Sequence, residues 1–142
     1  MAISDWASLL SSGESTVPEV ASRLGEPIAK QTRAGYRFAA VGSRIRGMWL
    51  GIDVTPDGAE SPRYLEVTFD ADGAPLAADL EREFGSPTHF PGEPGGDAYL
   101  ARYRYERKEH PFVAFVFAAL SGPPDDAAAK VLEITIRREE RL

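Results

Sequence analysis

His89 and His110 are the only histidines in the chain, and no cysteine accompanies them, so any base, nucleophile or soft metal ligand must be found among hydroxyls and carboxylates around these two rings. His89 opens the stretch HFPGEPGGDA, in which Glu93 and Asp97 would supply an orienting carboxylate or the oxygen ligands of a weak mixed site. Neither His-x-His nor His-Glu-x-x-His spacing occurs, so an exposed loop histidine is the plainer expectation. Asp70-Ala71-Asp72-Gly73 alternates carboxylates as the opening of a calcium loop does, and Glu81 is twelfth counted from Asp70. Pro75 and Leu76 set a helix start inside that span, which favours a plain turn. Gly92-Glu93-Pro94-Gly95-Gly96 has carboxylate where phosphate would sit, and no Gly-x-Ser-x-Gly elbow occurs. These residues predict no metal, no cofactor and no catalytic group. The alternative is a small enzyme or ligand-binding protein with a site near the 88–98 loop, using His89.

The elements that would carry such groups follow from a repeated phrase. A shift of 67 lays Leu65-Glu66-Val67-Thr68-Phe69 on Leu132-Glu133-Ile134-Thr135-Ile136 and Tyr36-Arg37-Phe38 on Tyr103-Arg104-Tyr105. A shift of 60 aligns Leu24-Gly25-Glu26-Pro27 with Phe84-Gly85-Ser86-Pro87, and one insertion between Pro87 and Tyr103 reconciles the two. Three matched blocks in one order predict an internal duplication, with repeats of about 15–73 and 74–138 inside a single domain.

Each repeat begins with a helix. Thr16 and Glu19 form a capping box ahead of an apolar face of Val17, Val20, Ala21 and Leu24, with Gly25 and Pro27 as the stop. The second copy has Pro75 in its first turn, then Ala77, Leu80 and Phe84, then Gly85 and Pro87. Three strands are expected after each helix, at roughly 35–41, 47–54 and 62–69, and at 98–107, 111–120 and 130–138. A further helix over about 4–11, with Trp6, Leu9 and Leu10 apolar, belongs to neither repeat. The fold class is therefore α+β: two helix-plus-three-strand repeats forming an antiparallel sheet with helices on one face.

Strand alternation divides the residues. Leu65, Val67, Phe69, Leu132, Ile134, Ile136, Met48, Leu50, Ile52 and Val54 should face the helices. Arg37, Trp49, Asp53, Glu66, Thr68, Arg104, Phe115, Glu133, Thr135 and Arg137 should line the other face, a mixture of arginine, aromatic and hydrogen-bonding groups suited to an interface.

The first repeat resembles, through Leu24-Gly25-x-Pro27, Tyr36-x-Phe38 and Leu65-Glu66-Val67-Thr68-Phe69-Asp70-x-Asp72-Gly73, the small module shared by the SmpA/OmlA lipoproteins and the beta-lactamase inhibitory protein. The likeness covers roughly Val17 to Gly73, with a weaker copy over Ala77 to Arg138. It implies a non-enzymatic module that holds another protein on its open sheet surface. The lipid-bearing cysteine and leader of the lipoproteins and the disulfides of the secreted inhibitor have no counterpart here, so their membrane anchoring and targets do not carry over.

Bulk properties agree with a folded binding module. Hydrophobic residues at 43% and charged residues at 27% are those of an ordinary globular domain, and 142 residues can bury a core without staples. A formal charge of -6 opposes nucleic acid. Arg102, Arg104 and Arg107 stand beside Tyr99, Tyr103 and Tyr105, and strand alternation, which sets Arg102 and Arg104 opposite to Tyr103 and Tyr105, favours an amphipathic strand over one base-stacking surface. The opening MAISDWASLL has neither a basic leader nor an apolar span, so a cytoplasmic protein without a membrane segment is expected. The expected partner is a protein, either an inhibitor's or immunity protein's target or a second copy that buries the open face in a homodimer.

Overall fold

The computed structural model describes residues 3–13, 16–24, 27–32, 34–38, 44–90, 99–123 and 125–141, with the backbone alone at 24, 27–32, 89 and 90. Its elements in chain order are α1 (Ile3–Ser11), α2 (Val17–Leu24), β1 (Pro27–Thr32), β2 (Gly35–Phe38), β3 (Ile45–Val54), β4 (Glu60–Phe69), α3 (Ala77–Phe84), β5 (Thr88–Phe90), β6 (Tyr99–Tyr105), β7 (Phe112–Leu120) and β8 (Val131–Glu140). The strands form one sheet in the order β1-β2-β3-β4-β8-β7-β6-β5, and every pairing is antiparallel. The α+β class and the antiparallel sheet agree with the sequence. The six expected strands are present, and the sheet is wider by β1 and β5, which add an edge strand on either side. Pro27 and Pro87 mark the helix stops and conceal the short pairings that begin at or just after them.

Helix starts are made by side chains. The Glu19 N–H donates to Thr16 Oγ1 at 3.3 Å, and the Thr16 hydroxyl donates to the Glu19 carboxylate at 3.2 Å, closing the box ahead of α2. For α3 the cap is Leu76, whose N–H donates to Asp79 Oδ2 at 2.8 Å. Pro75 thus precedes the cap instead of sitting in the first turn, and its carbonyl accepts from the Val131 N–H at 2.8 Å, tying the helix entry to β8.

One core lies between the helices and a single face of the sheet. Trp6, Val20 and Leu80 contribute from the three helices, and Phe38, Leu50, Leu65, Val67, Val116, Ile134 and Ile136 from the strands. Two positions depart from alternation. Leu132 is 40% exposed because the β7–β8 register slips, with Ala119 opposite Glu133 but Leu120 opposite Val131, so a bulge turns Leu132 out. Val54, at the end of β3, is exposed. In α1 the buried face is Ile3, Trp6, Ala7, Leu10 and Ser11, while Leu9 turns away and lines a small cleft with Asp5, Ser8, Ser12 and Arg23.

α3 ends at Gly85, whose N–H donates to the Glu81 carbonyl at 2.8 Å. Its φ of 83° and ψ of -166° lie beyond the left-handed helical well expected from the sequence, in a region open essentially to glycine. The matching claim for Gly25 lies outside the described residues. Gly85→Val should cost about 1–3 kcal/mol in equilibrium denaturation, although a Cβ there would meet no neighbour; unchanged stability would remove the backbone argument.

Tyr103 is buried on the core side of β6 with its ring 6.0 Å from that of Phe84. Burial pushes its phenol above the ordinary 10.0, and the charge of Glu81 adds to this. A raised folded value leaves its stability contribution intact below the unfolded pKa and removes it as pH rises from there through the folded value. Tyr103→Phe should therefore narrow the stability difference between roughly pH 8 and pH 11 measured by denaturation, and an unchanged difference would exclude Tyr103 as its source.

Candidate functional site: the open face of the sheet

The strands carry one another's outward side chains into rows. In the first row Arg37, Trp49, Glu66, Thr135, Phe117 and Arg102 succeed one another from β2 to β6. In the adjacent row the order is Gly35, Gly51, Tyr64, Arg137, Phe115 and Arg104. A third contains Thr68, Glu133, Ala119 and Leu100. Nine of the ten residues expected on this surface therefore fall in three neighbouring rows. The tenth, Asp53, stands farther along β3 opposite Ser61 and is tied to Arg138 at 3.2 Å and Arg63 at 3.6 Å. It anchors one end of the sheet and is not gathered with the others. Arg138, whose side chain is only 12% exposed, also donates to Ser61 at 2.8 Å and lies 4.4 Å over the Phe112 ring.

Trp49 is on the side opposite Met48 and Leu50, as alternation requires, yet it does not stand naked. It is half-buried, its indole lies across Gly35, and its N–H donates to the Tyr64 hydroxyl at 3.1 Å. Tyr64 in turn lies across Gly51, so that a Cβ at that position would run into the ring. Gly35 and Gly51 are direct cross-strand partners. Absence of side chains at this pair lets two aromatics lie flat on the sheet, an arrangement in which ring burial offsets the weakness of glycine in a strand.

The β6–β8 part of the face is a groove of about 590 Å³ with Phe115 and Phe117 on its floor. Their rings are 6.5 Å apart, and the guanidinium carbons of Arg102 and Arg104 lie 5.0 and 5.9 Å from the centre of Phe115, within cation–π range. Arg104 also donates to Glu106 at 2.5 Å; this hydrogen bond, with the charges of Arg104 and Arg141, holds the Glu106 carboxyl below its usual range. Arg137 approaches Glu139 at 3.8 Å.

Phe117 and Arg102 belong to this surface although only their neighbours Phe115 and Arg104 were singled out from the sequence. The signal was present, since each stands two positions along the same strand. Leu132 had no such signal. His110 is remote from any acid–base constellation: its Nδ1 is 2.8 Å from the hydroxyl of fully buried Ser11, and the contact fastens the end of α1 to the β6–β7 turn. The side chain of His89 and residues 91–98, with Glu93 and Asp97, lie outside the described residues. Among the described residues no three metal-ligating side chains gather, and no helix is long and apolar enough to cross a membrane. Comparisons with protein-family models, curated proteins and solved structures returned no match to the chain.

Gly51→Ala should displace Tyr64 and break the Trp49–Tyr64 hydrogen bond, lowering stability by about 1–3 kcal/mol and altering tryptophan fluorescence. Retention of both properties would mean that the aromatic shelf does not depend on the glycine pair.

Proposed function

We propose that this chain is a non-enzymatic protein-binding module whose working surface is the open face of the sheet. The observation that carries the reading is the distribution of bulk along β7. Its core side bears Phe112, Ala114, Val116, Ala118 and Leu120, and its outward side bears Val113, Phe115, Phe117 and Ala119. A strand apolar on both faces is the pattern of one covered on both faces, and here Phe115 and Phe117 are on the side that no helix of the described residues covers. The surrounding arginines and the Trp49–Tyr64 pair supply the residue types that dominate interface energetics.

Duplication supports the same reading. α2 is followed by β1 to β4 and α3 by β5 to β8, and the sheet order is a mirror sequence about the β4–β8 pair. Under the shift of 67, Val67 and Ile134 are equivalent residues as well as direct partners, and Arg37 and Arg104 are both exposed on the open face. Such a tandem module is what the resemblance to the SmpA/OmlA and beta-lactamase inhibitory group implies. Its most specific form is a cytoplasmic inhibitor or immunity-type protein.

The test is affinity capture from cell extract with quantitative mass spectrometry, comparing the parent chain with Phe115→Ala and Arg137→Ala. A genuine partner should be retained by the parent and weakened by about 2 kcal/mol or more in at least one variant, while both variants keep the parental fold. Equal capture by all three would place any interaction elsewhere and end the open-face reading.

A further inference from the structure

We propose that a second copy of this chain occupies the open face, the two copies being related by a two-fold axis that crosses β6, β7 and β8 between the row of Arg104, Phe115 and Arg137 and the row of Glu106, Val113 and Glu139. The proposal rests on the open-face reading and names the occupant.

Charge is balanced at the β6–β8 end of the face, where the groove is lined by Arg102, Arg104 and Arg141 and by Glu106, Glu139 and Glu140. Across two adjacent rows the signs are separated. β6 and β8 both run antiparallel to β7, so they share one direction, and each places an arginine one row before a glutamate. The row through Phe115 joins Arg104 to Arg137. The next joins Val113 to Glu139, with Glu106 just past the end of β6 on the same groove lining. Arg141, farther along, donates to the carbonyls of Arg107 and His110. A uniformly acidic partner is repelled by the glutamate row and a uniformly basic one by the arginine row, so complementarity requires the same step of charge in reverse. The chain carries that step itself.

Symmetry decides how two such faces meet, because in an isologous contact residue i touches j and j touches i. An axis along the strands would set β6 on β8 row for row, bringing Arg104 to Arg137 and Glu106 to Glu139, like on like. An axis across the strands keeps each strand over its own copy and exchanges the two rows. Arg104 then meets the partner's Glu106, Arg137 meets the partner's Glu139, and each contact occurs twice. The strands of the two copies remain aligned, as in sheets that pack face to face about 10 Å apart. Phe115 stands in a row beside the axis, which sets the two copies' rings near the centre of the contact. The charged groups are already engaged within the chain, Arg104 with Glu106 at 2.5 Å and Arg137 with Glu139 at 3.8 Å, and all four side chains are at least 40% exposed. Dimerisation joins each in-chain pair to its copy in an alternating quartet, so no charge is buried without an opposite neighbour.

Sedimentation of the full chain over roughly 1 μM to 1 mM should show a reversible dimer. Arg137→Glu leaves carboxylates at both positions of the β8 pair and Glu139→Arg leaves guanidiniums at both, so each variant meets itself like on like, twice over. Each should lose about tenfold or more in self-association. Mixing the two variants restores opposite charge at both contacts, and the mixture should form a heterodimer close to the parental affinity. A purely structural role for these exposed residues gives no rescue on mixing, and the melting transition of each variant controls for folding. Arg104→Glu and Glu106→Arg repeat the test beside β6 and replace the β8 variants should those fail to fold. A parent chain that stays monomeric throughout, a dimer that neither variant weakens, or weakening without rescue on mixing overturns the proposal. A monomeric parent that still captures another protein through Phe115 and Arg137 leaves the open-face reading standing, so the two fail separately.

Discussion

The structure depends on one pairing, that of β4 with β8. Tyr64 to Thr68 run opposite Arg137 to Glu133, and this contact joins strands separated by most of the second half of the chain. Each would otherwise be a sheet edge with unpaired backbone groups. Joining them makes one sheet from two four-strand sections and lets Leu65, Val67, Ile134 and Ile136 form a continuous buried centre beneath the helices. The pairing has to bear this load because the outer strands are short: β5 at one edge has three residues, and β1 and β2 at the other have six and four. These four aliphatics are almost completely buried, each worth about 1.5–3 kcal/mol of burial, while the polar partners Glu66, Thr68, Glu133 and Thr135 occupy the opposite side of the same strands.

That centre also explains why β7 is built as it is. α1 lies over β7 and β8, and its Trp6 and Leu10 occupy the core above them. Alanine at 114 and 118 leaves room for this helix on the inner side. The middle of the inner face of β7 is thin because the helix fills the space there, and Phe115 and Phe117 are on the outer face. Hydrophobic collapse alone gives no reason for Phe115 and Phe117 to be outside, since a sheet with one solvated face normally alternates apolar and polar residues.

Most of the architecture was legible in the sequence for a simple reason: the strands of β3, β4 and β8 obey period two, and the helix stops carry glycine and proline. Alternation was sufficient to assign Trp49, Glu66, Thr135 and Arg104 to one side without knowing their neighbours. It could not reveal that Arg37, Trp49, Glu66 and Thr135 form a single row, because cross-strand register depends on turns and bulges. Leu132 illustrates the limit. Its sequence match to Leu65 implies burial, and a bulge one residue long reverses it. Asp53 shows a different one: its side of the strand was readable, but its engagement by Arg138 from the far end of β8 required the folded sheet. β1 and β5 were missed because short edge strands have little apolar pattern of their own.

An aromatic floor on a solvated sheet face raises the question of how the free chain tolerates it, and the arginines answer it. A bare pair of phenylalanines would favour indiscriminate association. Long side chains that lay their methylene stems and planar heads along the rings cover apolar area while leaving the charge in water. Arg102 and Arg104 do this over Phe115, and Arg107 does it over Tyr105 at 5.5 Å. At the other end of the face the same task falls to a different device, with Trp49 and Tyr64 laid flat over glycine and joined by a hydrogen bond. The two devices differ in what they leave behind. Flattened aromatics satisfy their own polar groups through the Trp49–Tyr64 hydrogen bond, whereas the arginines over Phe115 cover a ring and hold their charge at the surface of the β6–β8 end.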